Sequence, residues 1–269
     1  MLRKLMKHEF RATARIMGPL FLIVLVLALA ANLALRFLME SDTFLPNLLG
    51  GLLMAAFVIG MVALAIMSIV LMVNRFRTNL MGDEGYVTFT LPVSSHQIVW
   101  SKIIVSTVWF IATGVVEAIA LLVCFFNLDV MRDIFSSEFF RQAFHALHEL
   151  IKEYGLNVPA IAIELIVLCL LSCAVLCLEF YAAMAVGHSF ANHKGALSVL
   201  FFFVFQFAIQ FISGLFFNAD EFEHMFNAGM NGMQAFHQMM AIFIGMELVI
   251  GAVYYVITTF TLKKRLNLQ

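Results

Sequence analysis

Four carboxylates stand inside runs that are otherwise apolar: Glu117, Glu164, Glu179 and Glu247. In hydrocarbon an ionised side chain costs roughly 2.5–3.5 kcal/mol on insertion scales unless it is paired, protonated or wetted. Such a group can carry a proton, line a polar route or accept a hydrogen bond from a neighbouring helix. Glu117 and Glu247 lie deep in their runs and are expected to face the protein interior, as pathway lining, as ion-coupling groups or as interhelical acceptors. Glu164 and Glu179 lie nearer the two ends of one run and are read as interhelical acceptors. Ser172, Gln206 and Gln210 are the candidate donors. Gln206 and Gln210 share a helix face, and could equally line a cavity or bond across a subunit interface.

Other reactive side chains form weaker patterns. Cys169, Cys173 and Cys177 repeat every four residues and make one helix stripe. A metal or redox box would need a supporting histidine, carboxylate or second cysteine pair, so the stripe reads as small residues on a helix seam. His145 and His148 beside Glu149 are too few for a metal centre and read as surface histidines. No Gly-x-x-x-x-Gly-Lys-Ser/Thr, Gly-x-Ser-x-Gly, His-Glu-x-x-His or Cys-x-x-Cys occurs. No catalytic, cofactor-binding or metal residue is therefore assigned, and the chain is not expected to be an enzyme.

The most structured polar stretch runs from Asn74 to Lys102. Arg75 and Arg77 stand just past an apolar run, where cations mark the cytoplasmic side. Gly82 and Gly85 bracket Asp83-Glu84 and permit a tight turn. Tyr86, Val87, Phe89 and Leu91 follow as apolar bulk, and Pro92 ends what precedes it. Ser94 and Gln97 have capping-box spacing, which predicts a helix from near Ser94 into the next apolar run. Such a loop can serve as a handle for something outside the membrane.

The elements that must position these groups follow from composition. Hydrophobic residues make up 63% and charged residues 12%, against roughly 45–50% and 25% in soluble domains. A polar shell cannot cover that much apolar surface, so the chain belongs in a bilayer. Six apolar runs, near 18–38, 48–73, 103–126, 159–186, 196–217 and 239–262, each approach the ~20 residues that cross hydrocarbon. The first is expected to be a span and not a cleaved leader. The fold class is all-α: one polytopic transmembrane domain over 1–269 with six transmembrane helices. Twelve of the sixteen Lys and Arg fall before the first span, in 74–102, in 187–195 and in the tail, and the alternate loops are acidic. Both termini are therefore expected on the cytoplasmic side. Residues 1–17 place Leu2, Leu5, Met6 and Phe10 on one face and bases on others, as an interfacial amphipathic helix or a basic leader. The external loop 127–158 carries Phe135, Phe139, Phe144, Leu147 and Ile151 at helical steps, predicting one or two helices on the membrane or over a cavity mouth. Residues 218–238, rich in Met, Phe, Asn and Gly, fit a re-entrant or interfacial hairpin turning at Gly229 and Gly232. The cysteines lie in apolar runs, so no disulfide scaffold is expected.

Gly82-Asp83-Glu84-Gly85-Tyr86, Thr90-Leu91-Pro92-Val93-Ser94 and Ser101-Lys102 together resemble the permease subunit of type-2 ABC (ATP-binding-cassette) transporters. Beyond this loop the likeness is span number, span order and loop size. In that family the first cytoplasmic loop carries a coupling helix seated in a groove of the ATPase subunit. The resemblance implies that Asp83, Glu84, Gly85, Tyr86, Phe89, Leu91 and Pro92 contact the ATPase, with Ser94 and Gln97 capping the following helix. It further implies ABC ATPase subunits and a second permease subunit, the same or homologous, as partners. Mg-ATP would bind in the partner subunit. The implied setting is the bacterial cytoplasmic membrane, with the lipid bilayer as surroundings and no nucleic acid. The expected role is export of an amphipathic or apolar cargo such as a peptide, antibiotic or lipid. Glu117, Glu247, Gln206 and Gln210 would be possible pathway lining. The alternative is a proton-coupled secondary transporter using the intramembrane glutamates.

Overall fold

The computed structural model describes residues 2–39, 43–82, 84–85, 90, 92–126, 136–155, 157–190, 192–216 and 232–264. Within them the chain forms α1 (Leu2–Leu33), α2 (Phe44–Met81), α3 (Ser95–Cys124), α4 (Ser137–Tyr154), α5 (Asn157–Gly187), α6 (Lys194–Phe216) and α7 (Gly232–Lys264). A π-helical segment, Ala34–Leu38, extends α1. All but α4 are long and apolar enough to cross a membrane. Hydrocarbon offers no partner for backbone N–H and C=O groups, so apolar runs of this length must satisfy them internally as helices. The chain is thus an all-α, multi-pass membrane protein.

The described residues fall into two compact units. One comprises residues 6–72 and 108–153, the other residues 1–5, 73–107 and 154–269, so α2 and α3 each contribute to both. In the first unit α1 and α2 run antiparallel along a seam of small residues. Gly60 faces Leu27, and Gly50 faces Leu38 and Met39 so closely that an added Cβ would stand 2.7 Å from the Met39 Cγ. Val24, Ala28, Ala31, Phe57, Leu64, Ala120 and Cys124 form the core. Two side chains, one from α1 and one from its π-helical extension, cap the end of α3, whose last carbonyls have no intrahelical partner. Asn32 Nδ2 donates to the carbonyls of Cys124 at 2.8 Å and Phe126 at 2.7 Å, and the Arg36 guanidinium also reaches the Phe126 carbonyl.

Several element limits differ from the sequence reading. Residues 2–17, expected as an interfacial amphipathic helix or a basic leader, are the opening turns of α1, which continues through Gly18 and Pro19. Packing holds them in line: Trp109 Nε1 donates to Thr13 Oγ1 at 2.7 Å, and Phe10 and Phe21 flank the Trp109 ring. α2 runs on to Met81, beyond the apolar limit near 73. α4 supplies one helix in the 127–158 loop, with Phe139, Phe144, Leu147 and Ile151 exposed along it. Residues 232–238, expected in a hairpin, are the first turns of α7, because nothing after Gly232 interrupts the helical pattern; the remainder of that hairpin lies outside the described residues.

Candidate functional site

The second unit is built around α5, which packs against both α6 and α7. The α5–α6 connection is a tight antiparallel corner. Gly187 lies against Ser198, whose hydroxyl donates to the Lys194 carbonyl at 2.8 Å. His188 follows, with Nδ1 2.9 Å from the Met184 carbonyl oxygen. Counting eight residues back from Gly187 and eight forward from Ser198 gives Glu179 and Gln206. Eight residues is about two turns on each helix, so the corner itself sets these two opposite each other. Gln206 Nε2 donates to Glu179 Oε2 at 3.0 Å.

α5 and α7 run in the same direction, with matching offsets. His237 Nδ1 lies 2.8 Å from Glu164 Oε1, and Ser172 Oγ donates to Glu247 Oε1 at 2.8 Å. Further along, Gly251 rests on Val175, and an added Cβ would stand 3.0 Å from it. Tyr254 follows about one turn beyond Gly251, as Glu179 follows about one turn beyond Val175. The result is three polar cross-links up one bundle, roughly 11 Å apart by helical rise. Glu179 is only 5% exposed and its Oε1 has no hydrogen-bond partner. The Tyr254 hydroxyl, also buried, has none either.

Between α6 and α7 lies a cavity of about 600 Å³. Phe205, Ile209, Ile212, Met246, Val253 and Tyr254 line it, and its walls are almost wholly apolar. Ile212, Val249 and Val253 are more than half exposed, so its rim lies on the exposed surface of these helices. Phe205 and Tyr254 meet at 5.4 Å between ring centroids.

The helices that carry the polar stretch Asn74–Lys102 converge on one residue of α5. Phe76, near the end of α2, stacks on Tyr181 at 3.9 Å and 7°. The Tyr181 hydroxyl is 2.9 Å from Ser106 Oγ on α3. Phe76 and Tyr181 are fully buried, and Ser101 and Lys102 are buried in α3 as well. At the α3 end the Gln97 N–H donates to Ser94 Oγ at 3.3 Å, the expected N-cap contact. In the same turn His96 Nδ1 lies 2.6 Å from the Tyr255 hydroxyl and Lys263 Nζ 3.0 Å from His96 Nε2, tying α3 to α7. The Lys263 ammonium can only donate, so Nε2 accepts and Nδ1 carries the proton.

The candidate residues therefore separate. Gln206 meets Glu179, and Glu247 meets Ser172, as interhelical acceptors should. Gln210 is exposed one turn beyond Gln206. Glu117 belongs to the other unit, half-buried, with Oε1 buried and unpartnered. Glu84 and Gly85 lie in a single helical turn closed by the Gly85 N–H on the Gly82 carbonyl at 2.8 Å, and Pro92 is exposed. Asp83, Tyr86, Phe89 and Leu91 lie outside the described residues. The cysteine stripe rotates out of the seam: Cys177 is buried and Cys169 exposed. Tyr181, Tyr254 and His237 were not legible as site residues. His237 could have been found, since a histidine and a glutamate at matching depth in two spans are natural partners. Among the described residues no group of three metal-ligating side chains comes together. No family model, curated protein or solved structure matches the chain.

Proposed function

We propose that the chain is the membrane-spanning permease subunit of an ATP-driven exporter of the type-2 ABC class. In this reading a separate ATPase subunit hydrolyses Mg-ATP, and a second permease subunit completes the pathway. The observation that carries the reading is the mounting of the 82–94 segment. α2 continues unbroken through Arg75 and Arg77 to Met81, and α3 starts at Ser95 under a serine cap. Both arms are fastened to Tyr181 of α5, one by ring stacking and the other by a buried hydroxyl contact. A push on the segment is thereby delivered to the helix that bears Glu164, Ser172 and Glu179. The resemblance of Gly82–Tyr86 and Thr90–Ser94 to the family's coupling loop supports the same reading. So does the lack of any phosphate-cradling motif in the chain.

ATP does work here only if the loop contacts the two ATPase states differently. The partner ATPase is sought by co-purification, and its stimulated activity is measured with Glu84→Lys and with Gly82–Gly85 deleted. Both changes abolish stimulation while the chain remains inserted. Tyr181→Phe keeps the stack, frees Ser106 and weakens stimulation without abolishing ATPase binding. Transport that persists with no ATPase partner, follows a proton gradient and vanishes in Glu117→Gln or Glu247→Gln would overturn the proposal in favour of a proton-coupled carrier.

A further inference from the structure

We infer that α4 lies flat on the bilayer, its apolar face inserted into the phosphatidylcholine leaflet at which α3 ends and α5 begins. The inference goes beyond the export reading and does not depend on it.

The first observation is the face itself. At about 100° per residue, Phe139, Phe140, Phe144, Leu147, Leu150 and Ile151 fall within an arc of roughly 140°. No charged residue, histidine or glutamine of α4 falls inside that arc. Every residue from Ser137 to Lys152 is exposed, Phe144 at 68%, so among the described residues nothing covers the apolar face.

The second is position, which follows from chain connectivity. α4 is a helix in its own right and not the overrun of a span. It starts under its own cap, the Phe139 N–H donating to Ser136 Oγ at 3.0 Å. Glu138 stands in its first turn and Lys152 in its last, as the helix dipole favours. It closes at Gly155, whose φ of 59° is the left-handed conformation that ends a helix and turns the chain. α4 is not among the helices long and apolar enough to span, so α3 ends and α5 begins on the same side. α5 starts at Asn157, three residues past Tyr154. Three Cα steps of about 3.8 Å reach at most ~11 Å. The head-group layer is itself roughly 5–8 Å deep, so the end of α4 is held at the membrane surface that α5 enters.

The third is the kind of cover the face requires. A second copy of α4 in a coiled coil would cover only the narrower a/d seam and leave the margins of the arc in water. A planar apolar phase covers the whole arc at once, and helices of this kind sink about 5–10 Å into the head-group boundary. Charge is not the source of the attraction. Arg141 and Lys152 are offset by Glu138, Glu149 and Glu153, and Arg141 is already paired with Glu138 at 2.6 Å.

The test uses the full-length chain in phosphatidylcholine nanodiscs, with and without brominated acyl chains, in discs holding one chain and in discs holding two. Phe144→Trp and Leu147→Trp report from the apolar face, His145→Trp and Glu149→Trp from the opposite one. Trp100 and Trp109 are present in every sample, and wild type supplies their contribution. Emission added by Phe144→Trp and Leu147→Trp is expected to fall about twofold or more with brominated lipid, as an inserted face requires. Emission added by His145→Trp and Glu149→Trp should ignore the bromines and be quenched by aqueous iodide. Admixing phosphatidylglycerol should leave this pattern as it is. Iodide quenching on both faces places α4 in water and overturns the inference. Protection of the apolar-face positions from both quenchers means that protein covers them, and overturns it as well; loss of bromine quenching in two-chain discs alone assigns that cover to a second copy. Bromine quenching that needs phosphatidylglycerol makes charge the cause and refutes insertion by the apolar face. All four positions are exposed, so no packed core is disturbed, and Leu147→Trp decides the matter if Phe144→Trp fails to reconstitute. No ATPase takes part, so a negative result leaves the coupling experiment standing.

Discussion

Replacing Gly187 by alanine tests the corner on which the Glu179–Gln206 contact depends. The added Cβ would lie 2.5 Å from the Ser198 nitrogen and 2.6 Å from its Cα, besides crowding the hydroxyl. These are backbone atoms, so no rotamer change relieves them. α5 and α6 must part by about 1 Å to reach the ~3.5 Å of ordinary carbon contact. Overpacking of this kind costs about 1–3 kcal/mol, and rigid neighbours put the cost at the upper end. Parting the helices also stretches the Gln206–Glu179 hydrogen bond two turns away, worth about 0.6 kcal/mol at the average for interhelical bonds in membranes. The expected loss is therefore about 3 kcal/mol, read as a shifted midpoint when wild type and variant are unfolded reversibly in mixed micelles of dodecylmaltoside and dodecyl sulfate. Gly114→Ala and Gly245→Ala supply the contrast, because a Cβ at either meets nothing within 4 Å. Both sit inside helices and should be neutral or more stable by up to about 1 kcal/mol. Adding Ser198→Gly to Gly187→Ala removes only the hydroxyl clash and should recover less than half the loss. A Gly187→Ala protein within about 0.5 kcal/mol of wild type, where uneventful substitutions fall, would refute the close approach and the register derived from it.

Three further outcomes follow from single contacts. Ser172→Ala removes the donor to Glu247 and should cost about 0.6–1.7 kcal/mol by the same unfolding assay, with no added cost when Glu247→Leu is already present. Ser94→Ala removes the cap of α3 and should cost about 1 kcal/mol, seen as faster amide hydrogen exchange at Gln97 and Ile98. His188 stands just past the end of α5, where burial pushes its imidazole below its ordinary 6.5; Lys194 and Arg77 add to the push and the Met184 carbonyl opposes it. In acid the unfolded chain therefore takes up the proton first. Stability should be full above about pH 6.5 and decline as pH falls from there toward the lowered value, and thermal unfolding of His188→Asn at pH 7.5 and 5.5 should lack that decline.

Much of the architecture was legible because membrane solvation is a strong constraint on composition. An apolar run of spanning length has one way to satisfy its backbone, so the six helices could be read from residue types alone. The serine cap at Ser94 was legible for a local reason: its partner lies three residues away. Helix ends were less so. α2 outruns its apolar stretch because Phe76, Leu80 and Met81 have neighbours to bury against, which hydropathy does not record. The first turns of α1 stay in line because Trp109, nearly a hundred residues on, donates to Thr13.

The carboxylates show the division most plainly. Sequence alone located Glu164, Glu179 and Glu247 in spans and required each to be partnered, protonated or wetted, since that cost depends only on depth in hydrocarbon. Which partner each would take was beyond it. That choice was made by Gly187 against Ser198 and Gly251 against Val175, contacts that fix how far α6 and α7 slide along α5. Glu179 received a neutral amide and an empty second oxygen, and Glu164 received a histidine. A slip of one turn, about 5.4 Å, would reassign every pair with no change in hydropathy. Partner choice and the cavity between α6 and α7 belong to tertiary packing, because only the relative placement of whole helices determines them.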